Sequence, residues 1–158
     1  MRFWDSSALV PLCLDQPRSP EARTLAGEDA EMVVWWGSAI ECASAIARLH
    51  RENLLTAAQE RAARALLAEL GASWFEVQPG SSLRDQAMRV LRLHPLRAAD
   101  ALQLAAALEW SGPAAGGVFV SFDDRRVRQV RPRAEGWIEG LSVRAMGETV
   151  NAGQLLFT

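Results

Sequence analysis

The sequence contains no lysine and no tyrosine, and only two histidines, His50 and His94. All 17 of its basic side chains are arginine. Without lysine there is no P-loop nucleotide site, no Schiff-base chemistry and no receiver-type phosphorylation site, since each needs an amine. The lysine deficit accompanies 27 alanines and reads chiefly as a GC-rich coding bias. Cysteine is scarce as well: Cys13 and Cys42 lie in apolar helical patterns, with no CxxC and no histidine at ligand spacing, so buried reduced thiols are expected. No secretory leader is expected before the first apolar run, and no uninterrupted apolar stretch reaches the roughly 18 residues of a membrane span. A cytoplasmic location with no membrane partner is expected.

What remains is a chain of 158 residues and 17.3 kDa, 49% hydrophobic and 23% charged, enough for one domain with a core but not for two. The net charge of −2 gives no generic polyanion-binding surface. Charge is unevenly placed, however. Residues 1–83 hold 7 Arg and 11 acids, whereas residues 84–158 hold 10 Arg and 8 acids, with a run at Arg125, Arg126, Arg128, Arg131 and Arg133.

Strand-like and helix-like segments alternate along the chain. The spacing predicts a strand over 1–4 leading into a helix over 6–14, then a short helix over 21–27 with Ser19 as N-cap and Pro20 at N1. A strand follows at 32–35. Helices over 38–53 and 56–70 form a hairpin arm, the second ended by Gly71. A strand over 74–77, helices over 82–93 and 97–110, a strand over 118–122 and an arginine-rich helix over 124–130 complete the pattern, with a last strand starting at Trp137–Ile138. Residues 142–158 carry no assignable element. Alternation of this kind predicts an α/β fold, a mainly parallel sheet covered by helices, with its functional crevice beyond the carboxyl ends of the strands. Trp35 and Trp36 are expected to pack in the core.

Acidic residues recur at that edge. Asp5 ends the first strand, and Asp123 with Asp124 ends the 118–122 strand; each can cap the helix that follows. Glu41 and Asp100 lie in the first turns of their helices, where the dipole favours acids. Asp100 shares a helix face with Leu104, Ala107 and Leu108, and a carboxylate on an apolar face needs a partner. Four carboxylates at one partly dry edge repel one another unless a cation intervenes. Oxygen donors without histidine or cysteine select Mg²⁺ or Mn²⁺, ions that activate water and stabilise charge on a phosphodiester.

The strings Phe3-Trp4-Asp5-Ser6-Ser7-Ala8-Leu9-Val10, Ser38-Ala39-Ile40-Glu41, Arg97-Ala98-Ala99-Asp100-Ala101-Leu102-Gln103-Leu104-Ala105 and Val120-Ser121-Phe122-Asp123 resemble the motifs of PIN-domain proteins, in particular VapC-type toxins of toxin-antitoxin pairs. The resemblance implies a three-layer α/β/α PIN-like fold over residues 1–141, followed by a tail, 142–158, of unknown role. It implies a Mg²⁺-dependent endoribonuclease, with Mn²⁺ able to substitute, acting on tRNA or another structured RNA and leaving 5′-phosphate and 3′-hydroxyl ends. Asp5 and Asp100 would hold the principal ion, Asp123 would help, and Glu41 would orient or deprotonate the attacking water. Ser6 and Ser121 match small hydroxyl positions that support the carboxylates. The resemblance further implies a VapB-like antitoxin and a homodimer.

Arg125, Arg126 and Arg128 follow Asp123, and Arg97 precedes Asp100; all four are candidates for binding RNA phosphates. The bland alternative pairs the arginine run with Glu135 and Glu139 on a solvated face. Strand pleat puts Ser121 and Asp123 on one side and favours Asp123 over Asp124 as the site acid. A phosphatase-type aspartate nucleophile needs a second Asp two residues after Asp5, where Ser7 stands. A PIN-like binding module without catalysis is the competing class, and the intact acidic set weighs against it.

Overall fold

Hydrophobic side chains at period two in the strands sort the molecule into layers. The structure is a computed structural model, and it describes residues 1–112 and 117–123 together with the backbone of two strands at 141–145 and 148–150. Its elements are β1 (Arg2–Trp4), α1 (Ser6–Cys13), α2 (Ser19–Glu28), β2 (Met32–Trp35), α3 (Ser38–Arg51), α4 (Ala57–Gly71), β3 (Phe75–Val77), α5 (Ser81–Leu93), α6 (Ala98–Ser111), β4 (Gly117–Val120), β5 (Leu141–Ala145) and β6 (Glu148–Val150). The sheet order is β3-β2-β1-β4-β5-β6. Every neighbouring pair is parallel except β5 and β6, which are antiparallel.

Alternate residues of each strand face opposite cores. Phe3, Val33, Trp35 and Phe119 pack on one side against Leu83, Ala87 and Val90 of α5 and Ala101, Leu104 and Ala105 of α6. Trp4, Met32, Val34 and Val120 pack on the other side against residues of α1–α4, including Leu9, Leu25, Ile46 and Leu67. The result is the expected three-layer α/β/α arrangement. Burying a large apolar side chain completely is worth roughly 1.5–3 kcal/mol, so the two cores, not helix propensity, hold the layers together.

Local chemistry sets the boundaries. Asp5 is the N-cap of α1, accepting from the Ser7 amide, and Thr56 with Gln59 forms a capping box at α4. Ser19 is not the cap of α2: the helix starts at Ser19 after Arg18, and the buried Ser19 hydroxyl instead donates to the Leu14 carbonyl at 2.6 Å, tying down the α1–α2 turn. β4 stops at Val120, not Phe122, because its partner β1 ends at Trp4. Trp35 is buried as expected, but Trp36 is 45% exposed, since the chain leaves the sheet between them. Beyond Gly140, β5 pairs with β4 and β6 with β5, so the sheet continues across the 141/142 division. The helix over 124–130 and the strand start at Trp137–Ile138 lie outside the described residues. Among the described residues, no helix is long and apolar enough to cross a membrane.

Candidate active site

β1 and β4 lie side by side and end at the same level, where the Asp5 amide donates to the Val120 carbonyl at 3.0 Å. Asp5 is therefore the first residue beyond the sheet, and it is fully buried. A carboxylate in that position is tolerated only when its oxygens are hydrogen-bonded. Its Oδ2 accepts from the Ser121 hydroxyl at 3.0 Å, from the Ser7 hydroxyl and from the Ser7 amide at 3.3 Å. The two hydroxyls are 3.3 Å apart. Each also receives a backbone amide from the chain leaving β4: Phe122 donates to Ser7 Oγ at 2.9 Å, and Asp123 donates to Ser121 Oγ at 3.3 Å. Asp5 and Asp123 thus lie at the ends of one small network, Asp123 half-buried at its rim.

Glu41 joins from the other direction. It is half-buried in the first turn of α3, and its Oε2 accepts from the Ser6 hydroxyl at 2.7 Å. Ser6 follows Asp5, so consecutive serines orient two different carboxylates, Ser6 that of Glu41 and Ser7 that of Asp5. Asp100 is half-buried in the first turn of α6, a helix whose Ala101, Leu104, Ala105, Ala106 and Ala107 are buried. α6 is linked to α3 by a buried pair: Gln103 Nε2 donates to Ser38 Oγ at 3.1 Å. Among the described residues, no group of three or more His, Cys, Asp or Glu side chains stands close enough to hold a metal ion as placed. The donor chemistry nevertheless suits a hard divalent cation, being oxygen throughout.

Sequence reasoning missed Ser7, Ser38 and Gln103. The first could have been found from its place two residues after an N-cap aspartate, where a hydroxyl reaches back to the cap; the Ser38–Gln103 contact is long-range and left no local signal. Arg97 is exposed beside the start of α6, while Arg125, Arg126 and Arg128 lie outside the described residues. Arg18, not singled out from sequence, lies 5.0 Å over the Phe122 ring and pairs with Glu21 at 3.3 Å.

Both cysteines are free and buried. Burial pushes the Cys13 thiol up to about 11. Cys42 is raised further, by burial first and then by the Cys13 thiol and the carboxylates of Glu41 and Asp5. Cys42 Sγ lies 3.9 Å from the Ser6 carbonyl oxygen, directly beneath the acidic edge. A thiol so placed is packing, not a nucleophile.

No family model and no curated protein matches the sequence. Solved structures match the fold. A toxin-antitoxin complex from Klebsiella pneumoniae aligns with a TM-score of 0.58 and 13% identity, over 80% of this chain and 89% of that one. VapC20 of Mycobacterium tuberculosis, a sarcin-ricin loop cleaving toxin, aligns with a TM-score of 0.61 and 19% identity, over 81% of this chain and 94% of that one. The chain shares a three-layer α/β/α, PIN-like fold with these structures.

Proposed function

We propose that the protein is a metal-dependent endoribonuclease toxin of the VapC type, hydrolysing phosphodiester bonds in RNA and neutralised by a cognate antitoxin. The observation that carries this reading is Asp5: a fully buried carboxylate at the β1–β4 junction, held by the hydroxyls of Ser7 and Ser121, with Asp123 at the rim of the same network and Glu41 anchored through Ser6. A site of this kind suits phosphate chemistry at a parallel sheet's carboxyl edge. The fold neighbours support the two partners, since one is a toxin that cleaves the sarcin-ricin loop and the other is a toxin-antitoxin complex.

Asp5 and Asp100 would hold a Mg²⁺ ion, with Mn²⁺ as substitute and Asp123 assisting. The bound ion would supply water activation and charge stabilisation at the phosphodiester. Glu41, its second carboxylate edge fixed by Ser6, orients the attacking water and takes its proton. Attack on phosphorus breaks the bond to the 3′ oxygen, which takes up a proton from solvent and leaves as a 3′-hydroxyl, while the phosphate stays on the 5′ oxygen of the other product. Arg97, Arg125, Arg126 and Arg128 are the cations proposed for the flanking phosphates. A homodimer acting in the cytoplasm on tRNA or another structured RNA completes the proposal.

Purified protein is expected to cleave RNA only with Mg²⁺ or Mn²⁺, and Asp5→Asn to lose both cleavage and growth arrest on expression. Undiminished cleavage by the pure variant overturns the assignment. A second reading, a PIN-like binding module without catalysis, draws on the absence of a closed three-carboxylate group among the described residues. Calorimetric titration with Mn²⁺ separates them: no heat of binding at millimolar metal favours the module.

A further inference from the structure

The two apolar cores are separate clusters on opposite faces of the sheet, with α3 in one layer and α6 in the other. Ser38 and Gln103 meet between them. Both are fully buried, and they exchange two contacts, Gln103 Nε2 to Ser38 Oγ at 3.1 Å and Ser38 Oγ to Gln103 Oε1 at 3.5 Å. Gln103 is the only buried polar side chain of α6 among the described residues, on a helix otherwise lined by alanine and leucine.

Stability does not explain such a pair. Replacing both members of a buried hydrogen bond by apolar groups of like shape is close to neutral, so polar side chains there impose geometry rather than add stability. Ser38 is one helical turn before Glu41, and Gln103 is one helical turn after Asp100. A residue three positions away lies on the same face of a helix, about one turn removed. The hydrogen bond therefore sets the first turn of α3 against the first turn of α6, and those turns carry Glu41 and Asp100, from opposite layers. Glu41 is pinned at a second point by Ser6, which couples α3 to the end of β1. Apolar contacts alone permit sliding of a helix end by a fraction of a turn; a directional bond does not.

We infer that the Ser38–Gln103 pair is a positioning device that holds the first turn of α6, and with it the proposed metal ligand Asp100, against the first turn of α3, and so sets the site's affinity for a divalent cation. The inference rests on the metal-dependent reading above. Neither residue is catalytic, since each acts through the carboxylate one turn away.

The test is calorimetric titration of the full chain with Mn²⁺ alone, beside thermal melting. The double variant Ser38→Ala/Gln103→Met removes both polar groups while keeping the volume of Gln103. Its Mn²⁺ affinity is expected to fall by about tenfold or more, in the range typical for outer-shell partners of metal ligands, with little change in melting temperature. Ser38→Cys, which conserves shape and donates weakly, is the second variant and is expected to lose affinity while folding normally. Wild-type affinity in either folded variant overturns the inference. Failure of the wild-type protein itself to bind Mn²⁺ overturns the metal-dependent reading, and the inference with it, without reference to any variant.

Discussion

Ser121, one residue beyond β4, donates its hydroxyl to Asp5 Oδ2 at 3.0 Å across a separation of 116 residues. The same hydroxyl accepts the Asp123 amide, so one oxygen orients the buried acid and shapes the turn that presents the rim acid.

Ser121→Ala removes both bonds, leaving a buried carboxylate oxygen short of a donor and an amide without its acceptor. A loss of about 1–3 kcal/mol in unfolding free energy is expected, measured by urea denaturation. RNA cleavage is expected to fall in parallel with the reorientation of Asp5 and Asp123. A variant as stable and active as the parent contradicts the network.

Gly37 precedes α3 with ordinary negative φ, so alanine there meets no backbone strain. A Cβ would nonetheless lie 2.5 Å from Nε1 and 3.0 Å from Cδ1 of the buried Trp35 indole. Gly37→Ala should displace Trp35 within the core it shares with Leu83 and Ala87, costing about 1–3 kcal/mol, as overpacking does. Thermal melting reads the loss.

With a thiol pKa of about 11, Cys13 at pH 8 is ionised in about one molecule in a thousand, and Cys42 in fewer. Native protein is expected to resist iodoacetamide over hours and to take up two labels once unfolded in urea. Rapid labelling of either cysteine in native protein, detected by mass spectrometry, would place that thiol outside the core.

Burial lowers the pKa of His94 at the end of α5 below its ordinary value near 6.5. The unfolded chain then binds more protons than the folded one between the depressed value and about 6.5, so stability rises with pH across that window and declines as pH falls through it. His94→Gln is expected to flatten this part of the profile. Melting temperatures of both proteins between pH 5 and pH 7.5 provide the comparison; parallel curves would exclude the histidine as the source.

Much of this architecture is legible in local patterns. β2 matches its apolar run, Thr56 caps α4, and Asp5 caps α1 as its place before a helix predicts. Ser19 misled because capping residues also serve turns, and here the hydroxyl satisfies the Leu14 carbonyl instead. β4 misled because strand length depends on the neighbour: Ser121 and Phe122 have strand-like composition, but β1 has already ended beside Val120. Strands β5 and β6 give little periodic signal of their own, and their place comes from pairing to an edge already formed.

The sequence by itself determined the alternation of elements, the two-faced strands and the presence of acids at helix starts and strand ends, because each depends on residues within a turn or a strand of one another. Only the tertiary structure decided how those acids are held. Ser7 and Ser121 meet on Asp5, Ser6 reaches Glu41, and Ser38 finds Gln103 because adjacent parallel strands end together and helices from two layers converge there. Hydrogen bonds between residues so far apart in the chain leave no period in the sequence, since their directionality acts only after burial has brought the partners within reach.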